Sequence, residues 1–479
     1  MDTTIPSAEF FVTNANDWEA DWSTARQFMP PAHVRTIENG IILPTRYAEA
    51  PKRFSHVFLG GCCDSDGRFI AGHSRHADGR SANLTCTAAY PVDGDELVFR
   101  DEEVIFGGLM IGHWGHLLTD STARLWYPVQ HPECKCKIVF LDCLLKKFEA
   151  REDWAPLMEL AGIDPGRIEI IDKPTRFRKI IVPDQAIYSL DAIRPEWISF
   201  FDAVRSRVPA SPHSKVYFSR ALFPKGDTFN EDIFESYWRD LGYHVVHPEN
   251  CSLQEEISLI VGADELVATI GTLSHNFLFA KEGANATILL RTGSVLRLQL
   301  LIGAARNLRS TYVETYRNVL PTQHFNGVYY LLPSPWFTHF LRKKQLSPLD
   351  VRQMDEFLDE QRVRSYVGKW FDTFSPRMDA FANISAEEKR MRGGLADAYA
   401  ALGDPGARDK LLAGVASFVK EELRVKHSRD ALKRERDVLM RERDRLQGRI
   451  QSLQESLSWR LTAPLRAIQR LFSGKRTSP

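Results

Sequence analysis

The chain of 479 residues contains 62 basic and 62 acidic side chains and therefore has no formal net charge. This balance excludes a strongly basic protein of the kind that binds nucleic acid, and a hydrophobic content of 43% excludes a largely disordered chain. At this length two or three domains are expected.

The N-terminal residues show neither the basic stretch nor the apolar stretch of a signal peptide. No segment reaches the roughly 18 consecutive apolar residues that a membrane-spanning helix needs. The seven cysteines are therefore predicted to be reduced thiols of a cytoplasmic protein. Cys134 and Cys136 suggest a metal site with Cys143, but a strand-like run separates them from it, so we expect no metal.

Residues 53–106 contain short apolar runs separated by turn-forming residues, a pattern typical of antiparallel hairpins. One of these turns carries Asp64 and Asp66. An Asp-x-Asp sequence after a strand is one way in which metal-dependent nucleotide-sugar transferases hold a divalent cation. Because Gly67 follows directly and apolar runs flank both sides, we favour a hairpin tip.

The segment 107–126 joins a short strand, a glycine-rich turn and a predicted helix. Polar residues of this helix recur at intervals of three, four and four positions, which places them on one side. Two imidazoles beside a carboxylate suit acid/base chemistry. The alternative is structural: packed histidines and an ordinary ion pair between the last two of these residues. The four residues are His113, His116, Asp120 and Arg124.

From 137 to 208 strands and helices alternate, which predicts a mostly parallel sheet with helices on both faces. Strands are expected at 137–141, 167–171 and 177–182, and helices at 148–160 and 196–208. The segment from Pro209 to Pro212 then resembles a linker between two lobes.

A second α/β unit follows, with strands predicted at 215–219, 243–246, 266–270 and 286–290. Asn230 is predicted to cap its first helix, and Ser252 with Glu255 forms a capping-box pattern. In such Rossmann-like units ligands bind at the carboxyl ends of the strands, where guanidinium groups and helix-start amides suit a diphosphate. The residues at these ends are Arg220, Gly271, Thr272, His275, Asn276 and Arg291. The structural alternative is that Arg220 pairs with Glu231 while His275 and Asn276 cap a helix.

These motifs resemble those of the family 61 glycosyltransferases over residues 95–295. The first signature is His113-Trp-Gly-His116 through Asp120 to Arg124-Leu-Trp126. The later ones are Tyr217-Phe-Ser-Arg220, Asn230-Glu231, Gly242-Tyr243, Ser252-Leu253 with Glu255, Gly271 to His275-Asn276, and Leu278-Phe-Ala280. The resemblance implies a GT-B-like enzyme: two facing Rossmann-like lobes, no obligatory metal and inversion at the anomeric carbon. Bacterial members are often capsular or other surface polysaccharide transferases.

Two residues depart from the family pattern. Asp120 stands where the family usually has Glu, which keeps the carboxylate but shortens its reach by one methylene. Glu256 stands where the family usually has Gln, which adds negative charge near the expected diphosphate and puts that contact in doubt.

The C-terminal part has a different composition. Residues 331–406 are aromatic and charged, and helices packing back on the lobes are expected. Within 407–457, apolar residues recur every seven positions from Leu411 to Leu453, which predicts a long helix that forms a homodimeric coiled coil. The alternative is a single helix, because charged residues occupy several of the matching a positions. The tail 458–479 contains a basic amphipathic stretch at 459–476, suited to the inner face of the cell membrane; packing on the enzyme or disorder are the alternatives.

The resulting hypothesis is an inverting transfer of a sugar from a nucleoside diphosphate sugar to a hydroxyl of a glycan or glycolipid, with no cofactor. Residues 1–208 would bind the acceptor and 213–330 the donor. His116 is the preferred base with Asp120 orienting it, His113 is the second choice, and Asp120 acting directly the third. The predicted donor-binding residues are Arg220, Asn230, Glu255, Gly271, Thr272, His275 and Asn276. The alternatives are a metal-dependent transferase using Asp64 and Asp66, and a non-catalytic scaffold that binds a nucleotide sugar.

Overall fold

The computed structural model describes residues 7–48, 56–144, 151–223, 227–316, 327–350, 356–357, 359–374, 436, 439–443 and 445. Within these ranges the chain forms two large β-sheets with helices packed against them, so the predicted α/β class is confirmed. Two further pairs of short strands complete the described sheet structure.

The strands are numbered in chain order. They are β1 (Ser7–Phe11), β2 (Val34–Glu38), β3 (Ile41–Tyr47), β4 (Val57–Cys63), β5 (Phe69–Ala71), β6 (Thr85–Ala88), β7 (Val98–Met110), β8 (Lys137–Asp142), β9 (Ile168–Ile171), β10 (Thr175–Pro183), β11 (Ile187–Tyr188), β12 (Ala192–Ile193), β13 (Lys215–Phe218), β14 (Thr228–Phe229), β15 (His244–Val246), β16 (Glu265–Thr269), β17 (Asn285–Leu290), β18 (Arg309–Glu314) and β19 (Tyr329–Tyr330).

The α-helices are numbered in the same way. They are α1 (Ala15–Ala25), α2 (Trp114–His116), α3 (Trp126–Gln130), α4 (Arg151–Leu160), α5 (Trp197–Arg205), α6 (Glu231–Asp240), α7 (Leu253–Gly262), α8 (Thr272–His275), α9 (Arg297–Ala305), α10 (Pro335–Lys343) and α11 (Glu360–Phe374).

The first sheet is mixed and has the order β5-β4-β3-β10-β7-β8-β9, with β2 paired to β10 and β6 to β4. Of the antiparallel hairpins predicted within 53–106, the structure contains the pair β4 and β5. The later runs differ from the prediction, because β6 pairs with β4 in parallel and β7 pairs in parallel with β8 and β10. The parallel part also contains β9, which pairs with β8. In β7 a Cβ on Gly107 would lie 2.6 Å from the ring of Phe140. Only glycine therefore lets this ring pack against the strand that leads into the His113–Asp120 segment.

The second sheet is parallel throughout, with the order β15-β13-β16-β17-β18-β1. Because β13 lies between β15 and β16, the connection after β13 runs to one side and the connection after β15 runs to the other. The carboxyl ends of β13 and β16 therefore form a topological switch point, where open parallel sheets leave a crevice for a ligand.

The N-terminal strand belongs to the second sheet, which corrects the predicted assignment of residues 1–208 to the first lobe. Strand β1 pairs with β18 from Ser7 opposite Arg309 to Phe11 opposite Val313. Helix α1 follows it, and its Trp18 ring lies 5.2 Å from that of Tyr312. The physical reason is that β1 and α1 cover the edge strand and the apolar face that β18 would otherwise expose.

The two sheets share one hydrophobic core. A single cluster of buried apolar side chains includes Ile105 of β7 and Ile288 of β17. Across the junction the rings of Phe201 and Phe279 lie 5.4 Å apart. The buried Arg306 also joins the two parts, donating to Asp202 at 2.5 Å. The predicted GT-B arrangement stays a prediction.

The C-terminal helices α10 and α11 add aromatic side chains to the second sheet. Phe337 of α10 contacts Phe234 of α6 with 5.4 Å between the ring centroids. Residues 436, 439–443 and 445 of the predicted coiled coil are helical and exposed; the rest of 407–457 and the tail 458–479 lie outside the described residues. Among the described helices, none combines the length and the apolar composition needed to cross a membrane. All seven cysteines are free thiols, as predicted.

The shared core gives a stability prediction. Phe201→Ala removes a fully buried ring that packs against Phe279, and should lower the free energy of unfolding by about 3–5 kcal/mol. Phe99→Ala is the matched control because its ring is 60% exposed, and it should change stability by no more than about 0.5 kcal/mol. Urea denaturation followed by tryptophan fluorescence measures both; equal effects would show that the junction contributes little.

Candidate active site

The segment after β7 is not the continuous helix that the sequence predicts. It consists of α2, a π-helical turn over Leu117–Ser121, and then α3. The hydroxyls of Thr119 and Thr122 donate to backbone carbonyls four residues earlier, at 2.9 and 2.6 Å. Such hydroxyl bonds compete with the regular helical pattern, and π-helical turns occur frequently at functional sites.

The carboxylate of Asp120 is the centre of a buried hydrogen-bond network, with the residue only 2% exposed. One oxygen, Oδ2, lies 2.9 Å from Nδ1 of His116, as the predicted i,i+4 spacing requires. The other oxygen, Oδ1, lies 3.2 Å from Nε2 of His73 and 3.4 Å from Nε of Arg75. Ser189 also donates to Oδ1, at 3.0 Å.

This network keeps Asp120 ionised. Burial alone would raise the pKa of the carboxyl group, but the Arg75 guanidinium and the hydrogen bonds from His116 and His73 outweigh burial, and the pKa is held well below its ordinary value. The ionised carboxylate therefore faces Nδ1 of His116 at 2.9 Å.

Arg124 does not pair with Asp120, so the ion pair of the structural alternative is not observed. Its guanidinium donates instead to the carbonyls of Gly72, at 2.8 Å, and Pro183. The reason is the π-helical turn, which adds a residue to the helical repeat and rotates position 124 away from position 120. Burial lowers the pKa of Arg124 to about 10.

The histidine-bearing helix α2 lies directly against the turn after β16. A Cβ on Gly115 would lie 3.1 Å from Oγ1 of Thr272 and 3.2 Å from Nδ1 of His275, so a larger residue here would have to displace one of these side chains by a few tenths of an ångström. On the neighbouring residue, Nε1 of Trp114 donates to Oδ1 of Asn276 at 2.8 Å. The two motifs that the sequence singled out separately therefore form one site.

Within this site His275 is a buried neutral imidazole. It is 7% exposed, and neither ring nitrogen has a hydrogen-bond partner among the described residues. Burial, followed by the nearby imidazoles of His116 and His113, lowers its pKa to about 3. Buried polar groups are normally hydrogen-bonded, so an imidazole without partners marks this position as a candidate binding site. The His113 ring lies 5.4 Å from that of His116.

Two guanidinium groups lie near the switch point of the second sheet. Arg220 follows β13, and Arg291 follows β17 and donates to the carbonyl of Ile270 at 3.0 Å. A Cβ on Gly271, whose φ is +136°, would lie 2.7 Å from a terminal nitrogen of Arg291. Burial, and then the positive charge of Arg291, lowers the pKa of Arg220. Two like charges at one crevice favour binding of an anion.

A buried carboxyl group, Glu231, lies beside these arginines. It accepts a hydrogen bond from the Tyr217 hydroxyl at 2.7 Å and from the backbone amide of Arg220 at 3.4 Å. Within the described part of the chain no ion pair joins its carboxylate to the Arg220 guanidinium, so that structural alternative is not observed. Burial raises the pKa of Glu231 to about 7 although Tyr217 and both guanidinium groups oppose the shift.

Three predicted donor-binding residues have partners within the protein. Asn230 adopts a left-handed φ of 68° and donates to the carbonyls of Leu331 and Phe357, so its side chain does not cap α6 as predicted. Glu255 forms the predicted capping box with Ser252 and is exposed.

The third of these residues is Asn276. Its Oδ1 accepts from Trp114, and its Nδ2 donates to Glu256 at 2.5 Å. Glu256 is therefore held by an amide, and burial raises its pKa to about 7. Glu256, which stands where the family usually has Gln, thus contributes to the contact between α2 and the turn after β16.

The Asp64 turn has the geometry of a hairpin tip. Oδ1 of Asp64 accepts the backbone amides of Asp66 and Arg68 at 2.9 and 2.8 Å, and Arg68 also lies 3.6 Å from the Asp66 carboxylate. These bonds agree with the favoured interpretation of this sequence as a turn.

A second cluster has metal-ligating residue types. Ligand atoms of His76, Asp78 and Asp191 lie within 4.8 Å of one another. Arg80, however, lies 2.6 Å from the Asp78 carboxylate and 3.9 Å from that of Asp191, so its guanidinium already compensates one of the two negative charges of this cluster.

Sequence reasoning missed three residues of the Asp120 network, namely His73, Arg75 and Ser189. They lie in loops, after β5 and between β11 and β12, where no periodic pattern marks them. The available signal was a histidine and an arginine directly after the predicted strand at 68–70, which marks a strand end but not its neighbour in space.

A comparison with protein families bears on the resemblance found in the sequence. A family model described as Glycosyltransferase 61 matches residues 114–287, a range that contains His116, Asp120, Arg220 and the turn at Gly271. Over this range the match supports a family 61 glycosyltransferase. The resemblance found in the sequence is thereby confirmed. No curated protein matches the chain. In this glycosyltransferase the matched region covers both sides of the contact between α2 and α8.

The neutral state of His275 makes acid stability a test of the site. Between pH 6.5 and about 3 the unfolded chain binds a proton at this imidazole that the native protein does not, so acidification through this window favours unfolding. From pH 6.5 to 5.0 the wild type should lose about 2 kcal/mol more stability than His275→Asn, at up to about 1.4 kcal/mol per pH unit.

Urea denaturation at several pH values measures this slope. His131→Asn, at a half-exposed surface position, is the control and should keep the wild-type slope. Identical slopes for wild type and His275→Asn would contradict a neutral, buried His275.

Proposed function

We propose that this glycosyltransferase moves a sugar from a nucleoside diphosphate sugar to an acceptor hydroxyl with inversion at the anomeric carbon. The observation that carries the proposal is the contact of α2 with α8, in which Gly115 packs on Thr272 and His275. This contact sets the His116–Asp120 pair of the first sheet against the switch-point side of the second sheet. The two sheets would then act as the acceptor and donor sides of a GT-B-like enzyme.

The donor diphosphate would bind at the switch point. Arg220 and Arg291 provide two positive charges there, and Gly271 leaves the space that the Arg291 guanidinium occupies. As the bond between the anomeric carbon and the diphosphate oxygen breaks, negative charge grows on the leaving group. Pre-positioned guanidinium groups stabilise that charge without a metal ion.

His116 would act as the base. Its Nδ1 faces Asp120, so Nε2 is the atom that takes the proton from the acceptor hydroxyl while the oxygen attacks the anomeric carbon. The bonding electrons of the old linkage leave with the diphosphate, and the ionised Asp120 stabilises the new imidazolium. His113 remains the second choice. Asp120 as direct base is less favoured because its oxygens already accept several hydrogen bonds.

Two other functions remain to be tested against this one. A metal-dependent transferase would use Asp64 and Asp66, and the turn bonds of Asp64 favour the metal-free reaction. A non-catalytic scaffold would need the predicted coiled coil at 411–457 and only the donor side of the site. Deletion of 408–479 would then abolish function, whereas Arg220→Ala would not.

The cellular role proposed with this activity is surface polysaccharide synthesis in a bacterium, on the cytoplasmic side of the cell membrane. It rests on the family resemblance and on the basic, amphipathic sequence of 459–476. A homodimer through 411–457 belongs to the same proposal. The acceptor would be a glycan or a glycolipid.

The base is tested by substitution. His116→Ala should lower kcat by about 10²–10⁴, the usual contribution of general base catalysis, with little change in donor binding. Release of nucleoside diphosphate from the donor measures turnover, and EDTA should leave the wild-type rate unchanged. His131→Ala is the control. Full activity of His116→Ala, or loss of activity in EDTA, would refute the mechanism.

The donor site is tested by ligand-dependent thermal stability. A panel of nucleoside diphosphates should contain one that raises the Tm of the wild type, while the corresponding nucleoside does so far less, because the diphosphate carries the contact with Arg220. At one hundred times Kd the stabilisation is about 2.7 kcal/mol. Arg220→Gln should remove most of the shift.

Arg239→Gln, on the exposed side of α6, is the matched control and should keep the shift. Equal stabilisation of Arg220→Gln and the wild type would place the diphosphate elsewhere.

A further inference from the structure

A cavity of about 280 Å³ lies on the first sheet, next to the Asp120 network. Its lining includes His73, Arg124 and Arg35 together with the aromatic rings of Phe69 and Tyr188. Pockets for drug-sized ligands usually enclose about 300–1,000 Å³, so this volume suits one sugar unit better than a nucleotide sugar. None of the predicted site residues lies in this lining.

The cavity holds positive charge for which the described residues provide no carboxylate partner; Arg124 donates to the carbonyls of Gly72 and Pro183. Arg124 is 5% exposed, and within the described part of the chain no carboxylate lies within 4 Å of its guanidinium or of that of Arg35. Asp184 also lines the cavity, but it is engaged by Arg194 at 3.8 Å and by the amide of His33 at 3.1 Å. Buried charges in native proteins are normally paired, so an unpaired buried guanidinium at a cavity indicates an anionic ligand.

The imidazole of His73 provides a second, independent indication. It is 2% exposed, and its Nε2 faces the ionised Asp120, so the neutral ring donates there and leaves Nδ1 as an acceptor. Within the described residues no hydrogen bond to Nδ1 is found. Since His73 lines the cavity, this nitrogen can accept a hydrogen bond from a sugar hydroxyl, and the aromatic rings offer flat faces for its C–H groups.

We propose that this cavity is an acceptor subsite that binds one acidic sugar unit, with its carboxylate at Arg124 and Arg35 and a hydroxyl at Nδ1 of His73. That the bound sugar belongs to the acceptor rests on the proposed function. Asp120 contacts both sides: Oδ1 bonds His73 at the cavity and Oδ2 bonds His116, the proposed base. A sugar bound at His73 would therefore help to fix the Asp120 carboxylate, which in turn orients His116.

Binding is measured without turnover, by ligand-observed NMR and calorimetry on the full chain. The probes are the methyl glycosides of glucuronic and galacturonic acid, with those of glucose and galactose as neutral counterparts. At least one acidic glycoside should bind at least about tenfold more tightly than its neutral counterpart, the effect of one charge-assisted contact. Equal binding of acidic and neutral glycosides, or binding of neither acid, overturns the proposal.

Variants locate the binding to the cavity. Arg35→Gln and Ala77→Trp change exposed lining residues, so folding is preserved; the first should weaken acidic-glycoside binding about tenfold and the second should abolish it. Arg26→Gln, at an exposed arginine directly after α1, is the control. Unchanged binding in Arg35→Gln or in Ala77→Trp overturns the assignment.

Glucose 6-phosphate distinguishes the source of the anion. Binding of this phosphate without binding of any glycoside would assign the cavity to a soluble sugar phosphate and overturn the acceptor subsite. Failure of this proposal is separable from failure of the proposed function. If a nucleoside diphosphate stabilises the chain through Arg220 while no acidic glycoside binds, the donor site stands and only the cavity assignment falls.

Discussion

The buried negative charge of Asp120 is the constraint on which the site depends. An ionised carboxylate that is 2% exposed costs several kcal/mol unless donors surround it. Its donors come from separate segments: His73 and Arg75 from the loop after β5, His116 from α2, and Ser189 from the turn between β11 and β12. The mixed sheet therefore has to fold completely before the base can be oriented, which ties the chemistry to the fold.

The second sheet brings two guanidinium groups together near its switch point. Burial, and then the positive charge of Arg291, disfavour the charged form of Arg220, whereas the carboxylates of Asp227, Glu231 and Glu249 favour it. Burial raises the pKa of Glu231 to about 7, so this group compensates the charge only in part. A dianion bound at the two guanidinium groups would reduce their mutual repulsion, which is the electrostatic basis of the proposed donor site.

The sequence predicts those parts of the structure that are encoded locally. The strands expected at 215–219 and 286–290 correspond to Lys215–Phe218 and Asn285–Leu290, because apolar runs with turn residues at their ends need no distant information. The bond between His116 and Asp120 follows from helical spacing alone. The contacts that were not predicted join residues far apart in the chain. The sequence of Ser7–Phe11 does not identify β18 as its pairing partner, and the sequence around His73 does not identify Asp120 as its hydrogen-bond partner. The π-helical turn was not predicted for a different reason. The apolar pattern is that of a regular helix, but the hydroxyls of Thr119 and Thr122 compete with its backbone hydrogen bonds.

Two imidazoles share the Asp120 carboxylate, and burial decides which of them can act as the base. A proton taken by His73 would create a cation in a side chain that is 2% exposed, and burial lowers the pKa of that imidazole. The His116 side chain is 32% exposed, so water as well as Asp120 solvates the cation formed there. Burial therefore favours a neutral His73 that donates to Oδ1 and fixes the carboxylate, and it supports His116 as the proposed base. The same carboxylate can thus serve one histidine as a hydrogen-bond acceptor and the other as a counter-ion.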